Sequence, residues 1–575
     1  MSEERPKFRY CQAQKWLPKL PLGEEKHLEL VNTFEEYHEL GIMEKSFTPS
    51  GSFLPYHLVH SARKSRVVYN ASARPWHGLT LNELLWSGPN LLENLMGILV
   101  RFRIHRFPVM ADIQKAFLMV AIRQEDREFL KVLWQRPDGS QQISRFARVP
   151  FGLTCGPYLL LITLQVHLRN EMQKAGGASA LIKKLQGDVF MDDVTSGFDN
   201  LEEALRFKTE AEVLLGKAGM KLQKFHSRPQ VMEHWGLERS PDSLKVLGLG
   251  WNPSEDNLQI ELRFKAAETK REVASSVAAV FDPLSLAAPF LIRGRILLQS
   301  LWKRESGWDE PLEEEDLQEW RTLRQEAETQ DVRLYTPRHI IVDESSEFAV
   351  FCDASSKAYA ACIFVKNGSE MTLLIAKARV APLKQDRLTI PKLELMAALL
   401  AVRLREVTAK LLDRDLPTSY FSDSKVTLGW IQGSPKEVFV RNRVRNILLN
   451  SSKEQWNHIE GEDNPADLAT RGMSPRNLQA SRLWWHGPQR HPATLSMVAK
   501  NPAEPQTEAE SLDPDPLGFD NFSSWKKLVA VVSVIMRWRK RSRDRDPVAV
   551  ILRYLQMRTP EWSVSYTHLT LPTKA

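Results

Sequence analysis

The run Asp188-Val189-Phe190-Met191-Asp192-Asp193-Val194 sets two adjacent carboxylates, Asp192 and Asp193, in an otherwise apolar, strand-like stretch. Acids in such surroundings cost free energy unless something positive pairs with them. Neighbours on a strand point to opposite faces, so both can serve one site only from a tight turn. A hairpin tip presenting acids suits Mg²⁺, which takes oxygen ligands from one or two carboxylates plus phosphates. The chemistry indicated is phosphoryl transfer. Four more acids in the second half each lie on an apolar element. Asp353 closes Ala349-Val350-Phe351-Cys352, and Asp423 follows Tyr420-Phe421-Ser422. Glu394 lies early in an Ala/Leu-rich helical stretch begun by Pro391, and Asp467 sits just after Pro465. Four acids so placed need a cation to share.

Stepping outward from these acids, the pattern predicts the elements that hold them. Residues 107–121 are expected to form a strand, ended by Asp112, that runs into a turn or helix start. The Gly/Pro-rich bend Val149-Pro150-Phe151-Gly152-Leu153-Thr154-Cys155-Gly156-Pro157 leads into a helix over 158–175. Pro137-Asp138-Gly139-Ser140 marks a hairpin between strands at 129–135 and 142–148. Helices are expected over 24–40, 93–102 and 201–219, and mainly over 271–301; short strands are expected at 66–69 and 246–251. The acidic stretch 303–332 predicts an exposed helix between units, and a second α/β pattern runs from about 347 to 471.

The 575 residues imply several domains, and 43% hydrophobic content supplies real cores. The net charge of +7 is a mild basic excess that suits a polyanion without requiring one. Four cysteines (Cys11, Cys155, Cys352, Cys362) form neither a metal pair nor a disulfide framework, which fits a reducing compartment. The sequence contains no stretch apolar enough to span a membrane and no apolar signal region at its start.

Taken in order, Phe107-Pro108-Val109-Met110-Ala111-Asp112-Ile113-Gln114-Lys115-Ala116-Phe117, the bend at 149–157 and the Asp192-Asp193 hairpin resemble motifs A, B and C of reverse transcriptases. The set most resembles the BEL/Pao class of LTR retrotransposons, a likeness extended by Arg66-Val67-Val68-Tyr69-Asn70-Ala71-Ser72-Ala73, by Val246-Leu247-Gly248-Leu249-Gly250-Trp251-Asn252 and by Phe281-Asp282-Pro283-Leu284. The resemblance implies Asp112, Asp192 and Asp193 as catalytic acids that hold two Mg²⁺ ions, with Mn²⁺ as the substitute. It also implies Phe117 as a steric barrier to a 2′-hydroxyl and Arg66 as a triphosphate contact. Phe151 and Gly152 would face nucleotide and template, Lys221 or Lys224 would protonate the leaving group, and the turn at 247–251 would grip the primer. Asp353, Glu394, Asp423 and Asp467 resemble the acid set of ribonuclease H, which implies two further Mg²⁺ ions and cleavage of RNA in an RNA–DNA hybrid. Three departures stand out. Phe190 replaces the usual Tyr, Asn70 replaces a common acid, and the loop Gly461-Glu462-Asp463-Asn464 has no histidine, with His458 on the preceding strand and Asp463 expected as a loop residue.

The implied fold class is α+β multidomain: a right-hand polymerase followed by an α/β ribonuclease H-like domain with a mixed sheet. Its expected parts are fingers and palm at 1–235, thumb/connection at 236–335 and ribonuclease H at 336–480. A linker and helical segment at 481–563, with a basic run Arg537-Trp538-Arg539-Lys540-Arg541, would lead toward an integrase, and 564–575 has the character of a non-native tail. No Asp-Thr/Ser-Gly protease signature, His-His-Cys-Cys module or integrase acid set is visible, so the chain is expected to be an internal slice of a polyprotein. The implied partners are RNA template, DNA primer, hybrid, dNTPs and the element's capsid, protease and integrase, in cytoplasmic virus-like particles and with no membrane. Two other readings compete: a decayed or domesticated product that binds nucleic acid without catalysis, and a group II intron or non-LTR polymerase. The seven intact acids oppose the first, and the downstream four-acid domain opposes the second.

Overall fold

The structure, a computed structural model, describes residues 10–489 apart from 18–23, 62–63, 76–77, 178, 305, 330–332 and 384–387. The helix expected at 525–554, its basic run and the tail lie outside the described residues.

The first acids stand on a four-stranded antiparallel sheet ordered Val189–Phe190, Asp193–Phe198, Phe107–Ile113, Leu222–Ser227. Strand alternation buries Val109, Ala111 and Ile113 on one face and turns Asp112 to the other. Behind the buried face, helix Leu201–Gly216 packs Ala204, Phe207, Ala211 and Leu215 at helical spacing, with Asn200 capping its start by accepting from Glu202 N–H. Two further β units accompany them: a hairpin of Tyr56–Ser61 with Lys64–Tyr69, earlier in the chain, and a three-stranded sheet ordered Met43–Ser46, Gln141–Phe146, Lys131–Gln135, whose last two strands follow Phe107–Ile113.

A second antiparallel sheet runs Leu244–Val246, Leu249–Asn252, Asn257–Glu261, Arg333–Pro337. It corrects the single strand expected at 246–251. Leu247 (φ 49°) and Gly248 (φ 97°) form a two-residue turn, and hairpin turns of this kind want positive φ at both centres. The acidic helix is Glu314–Thr329; it is not merely exposed, because Asp316, Trp320, Leu323 and Ala327 form a buried stripe. Asp188 is a further correction: it ends helix Ala180–Asp188 and does not begin the strand.

The last sheet has five strands in the order Glu370–Val380, Ala358–Asn367, Glu347–Ala354, Thr418–Ser422, Trp456–His458. The first two pairings are antiparallel and the last two parallel, a mixed sheet as expected. Helix Ile390–Leu412 covers it with Leu393, Ala397, Ala398, Ala401 and Leu404, small and apolar residues that permit close approach.

Helix Leu95–Ile104 joins the two halves. Leu99, Val100, Phe102 and Ile104 belong to the apolar core that runs through the second and last sheets. Its Arg103 is fully buried and donates to the carbonyls of Arg338, Leu374 (2.8 Å) and Pro337 (3.2 Å). Burial, with Arg338 nearby, lowers the Arg103 pKa to about 9. Arg338 in turn pairs with Asp256 at 2.5 Å and donates to the carbonyl of His105 at 2.7 Å. Arg103→Met removes the donors and leaves buried carbonyls unpaired, each costing about 1–3 kcal/mol. The expected result is a lowered denaturant midpoint by chemical unfolding; an unchanged midpoint would refute this role.

Candidate active sites

The chain reverses between Phe190 and Asp193, which are register partners, through Met191 and Asp192. Met191 takes φ 59°, a strained value for a side-chain-bearing residue and a frequent one at functional turns. Asp193 then opens the strand whose register sets it directly opposite Asp112, and Ile113 N–H donates to the Asp192 carbonyl at 2.8 Å. The predicted tight turn therefore exists, and Asp112, Asp192 and Asp193 converge at one sheet end. Asp112 accepts from Gln223 Nε2 (2.7 Å) and from Lys224 Nζ (3.0 Å). Burial raises the pKa of Asp192 and Asp193, and the neighbouring carboxylates add to it; Asp193 reaches about 6. Lys224, 63% exposed, opposes this only in part. The three acids repel one another across this sheet end and Lys224 opposes that repulsion; among the described residues, ligand oxygens gathered within 4.8 Å are found not here but at Asp353, Glu394 and Asp423.

Of the two lysines weighed above, Lys224 is the one that reaches Asp112; Lys221 accepts Gln114 N–H with its carbonyl at 2.8 Å. Gln223 was missed. It lies between buried Leu222 and exposed Lys224, and only its cross-strand partner shows its role.

Phe117 lies on the turn Ala116–Met119, five residues past Asp112, and its ring meets that of Phe151 at 5.4 Å between centroids, tilted 59°. Phe151 is 41% exposed. Gly152 takes φ 95°, and a Cβ there would collide with the Tyr69 carbonyl, so the bend requires glycine. Tyr69 ends the strand that carries exposed Arg66. Phe117, Phe151 and Gly152 are thus neighbours, with the Arg66 strand abutting the bend.

In the last sheet the parallel register pairs Cys352 with Ser422, which brings the next residues, Asp353 and Asp423, together. Glu394 enters from the first turns of helix Ile390–Leu412. Ligand oxygens of Asp353, Glu394 and Asp423 lie within 4.8 Å of one another. Asp353 and Glu394 are buried. Thr470 Oγ1 donates to Asp353. Among the described residues, Glu394 Oε2 and Asp423 Oδ1 are buried and find no hydrogen-bond partner. Burial and then mutual repulsion raise Asp353 to about 7 and Glu394 to about 9, and burial with Asp467 nearby raises Asp423. Orphaned carboxylate oxygens that repel one another are what a divalent cation would relieve.

Asp467 stands at the edge of this group. It is close enough to raise the other three, but its carboxylate accepts from Arg471 Nε at 2.6 Å. Asp463 lies in the short turn Gly461–Asp463, and His458, on the preceding strand, lowers Asp423. Gly461 passes so near that a Cβ would stand 3.2 Å from Asp423 Oδ2.

Comparison with protein families matches residues 96–249 to the reverse transcriptase (RNA-dependent DNA polymerase) family and residues 269–424 to the Pao retrotransposon-like RNaseH-like domain. The first range contains Asp112, Phe117, Phe151, Gly152, Asp192, Asp193 and Lys224; the second contains Asp353, Glu394 and Asp423. Comparison with curated proteins finds no match. Among solved structures, a foamy viral protease-reverse transcriptase in complex with double-stranded DNA is 14% identical, with a TM-score of 0.50 over 80% of this chain and 86% of that one. A second such complex, of the form designated dRH, is 15% identical, with a TM-score of 0.51 over 76% of this chain and 69% of that one. At such identity the likeness is one of fold: α+β, a polymerase hand followed by a ribonuclease H-type sheet.

Proposed function

We propose, for a chain that is a Pao-type reverse transcriptase joined to a ribonuclease H-like domain, that its two acid sets are the two catalytic centres. The observation that carries this is the pairing of Asp112 with Asp193 across antiparallel strands, with Asp192 in the turn that leads from Phe190 into Asp193. In this reading the chain copies retrotransposon RNA into DNA from dNTPs on a DNA primer, then cleaves the RNA of the hybrid. The foamy viral structures of similar fold hold double-stranded DNA, which supports a nucleic-acid partner.

Asp112, Asp192 and Asp193 would hold one pair of Mg²⁺ ions, and Asp353, Glu394, Asp423 and Asp467 a second, with Mn²⁺ as the substitute. When bound, such ions supply charge neutralisation for phosphoryl transfer and lower the pKa of the attacking hydroxyl or water. The chain's own residues do the rest. Gln223 and Lys224 fix the Asp112 carboxylate from two sides. Lys224, whose exposed ammonium pairs with Asp112, would give a proton to departing pyrophosphate. Arg66 offers a planar fork to the triphosphate, and Phe151 and Gly152 line the nascent pair. In the nuclease, Thr470 orients one Asp353 oxygen. Asp467 would complete the set by leaving Arg471.

The working parts in this reading are fingers and palm at 1–235, thumb/connection at 236–335 and nuclease at 336–480. The chain would act with the element's capsid, protease and integrase in virus-like particles. No helix among the described residues is long and apolar enough to cross a membrane.

Extension of oligo(dT) on poly(rA) with dTTP and Mg²⁺ tests the polymerase directly. No synthesis by folded protein would overturn the assignment. Phe117→Ala should open the floor of the sugar site and raise ribonucleotide incorporation about tenfold or more, a difference of about 1.4 kcal/mol in discrimination. Competition between rNTP and dNTP in single-nucleotide extension measures it, and unchanged discrimination removes Phe117 from the sugar site.

A further inference from the structure

The bend that carries Phe151 and Gly152 is held from outside by a side-chain amide, that of Asn82. Asn82 lies in the first turn of the short helix Leu81–Leu84. Thr80 and Glu83 fix the start of that helix reciprocally: Glu83 N–H donates to Thr80 Oγ1 (3.2 Å) and Thr80 N–H to Glu83 Oε2 (2.7 Å). From this anchored turn Asn82 Nδ2 donates to the Gly152 carbonyl (2.9 Å) and to Ser72 Oγ (2.9 Å). Asn82 Oδ1 accepts Thr154 N–H at 3.0 Å, and the Asn82 backbone N–H donates to the Ala71 carbonyl at 3.1 Å. The amide thus uses both donors and an acceptor. It spans Gly152 and Thr154 as a paired strand would, and it ties them to the segment that follows Arg66 and Tyr69.

Two facts make this clamp consequential. Gly152 already presses its backbone on the Tyr69 carbonyl, so the bend is pinned on one side by a contact that admits no side chain. The Phe151 ring, one residue earlier, faces Phe117 across 5.4 Å. A shift of the bend therefore changes the separation of the two rings.

We propose that Asn82 is a positioning residue that sets the width of the nucleotide slot, and through it nucleotide affinity and ribose discrimination. This rests on the placement of Phe117 and Phe151 in that slot. Asn82 touches no reacting atom; it acts through Gly152 and Thr154. The chemistry predicts which substitution matters. Asn82→Asp keeps size and the acceptor for Thr154, but sets a carboxylate oxygen against the Gly152 carbonyl where a donor was. Ser72→Ala removes one partner and leaves the Gly152 and Thr154 bonds in place.

Steady-state single-nucleotide extension of the full chain tests this, with cleavage of a preformed RNA–DNA hybrid as the internal control of folding. Asn82→Asp is expected to raise KM for dNTP about tenfold and to lower dNTP-over-rNTP preference by a similar factor, with hybrid cleavage within about twofold of the parent. Ser72→Ala should shift both in the same direction by a smaller factor. In the pair Asn82→Asp with Phe117→Ala, the losses of discrimination should be less than multiplicative, because both act on one ring-to-ring gap. Unchanged KM and discrimination in Asn82→Asp overturn the proposal. So does a fall in kcat, nuclease rate and melting temperature together with discrimination intact, the signature of a merely structural residue. A parent chain that extends no primer overturns the slot assignment itself, a result distinct from either.

Discussion

Asp192→Ala is expected to reduce Mg²⁺-dependent primer extension on the order of 10³-fold, about 4 kcal/mol of barrier, while hydrolysis of a preformed hybrid continues. The expectation follows from where Asp192 sits. Its carbonyl caps the Ile113 N–H, so the turn is held by backbone and should keep its shape without the carboxylate. Asp112 and Asp193 stay paired across the strands but lose the third acid. The same geometry gives a pH dependence. Burial and the neighbouring carboxylates raise Asp193 to about 6 in the absence of a cation, so as pH falls through that value the proton competes with the metal. Extension should therefore fall below pH ~6 and recover partly with more Mg²⁺. The result that would sink the assignment is full extension by Asp192→Ala, or equal loss of both activities with an unchanged melting curve. Asp112→Asn makes a companion variant, since it keeps the cross-strand pairing but weakens the ion pair with Lys224.

What could be read in the sequence was local. A strand of alternating burial that ends in an acid is visible in Phe107–Ile113, and adjacent acids with one site to serve imply a turn at Met191-Asp192. The Pro391 start of the long nuclease helix fixes Glu394 near its beginning, and the match of strand-then-acid at Asp353 and Asp423 becomes a parallel register. What could not be read depends on partners far away in sequence. Asp188 looks like part of the acidic strand. Its helix is revealed by buried Ile182 and Leu185, and its own charge is met by Arg101 at 3.5 Å and Ser196 at 2.7 Å. Leu247 carries no hint that it takes φ 49°. Gln223 and Asn82 are ordinary polar residues until Asp112 and Gly152, 111 and 70 positions away, are known as their partners. Helix Leu95–Ile104 is the extreme case. Its pattern shows that it is buried, but not that its core is shared with strands some 250 residues later.

Glu394→Gln is expected to do two opposite things: abolish hybrid cleavage, on the order of 10³-fold, and stabilise the protein when metal is withheld. Glu394 carries its proton up to about pH 9 in the folded chain, against an ordinary value of 4.5. Between those values unfolding releases a proton that the folded state retains. The folded state binds more protons, so stability must fall as pH rises through this window. Asp353, raised to about 7, adds the same slope at lower pH. In EDTA, the parent chain should therefore melt at progressively lower temperature from pH 5 to pH 9, and Mg²⁺ should reverse the loss by pairing with the ionised acids. The glutamine is neutral at every pH, so it should flatten the slope, raise the metal-free melting temperature at pH 8 and reduce the rise that Mg²⁺ gives. Primer extension should persist, since Glu394 lies on helix Ile390–Leu412, outside the sheet that carries Asp112. A variant that keeps cleavage, or one that melts lower than the parent in EDTA at pH 8, would mean that Glu394 is a satisfied structural acid. Stability and catalysis are opposed here because the burial and mutual repulsion that cost the metal-free acids their stability are what give a divalent cation its place.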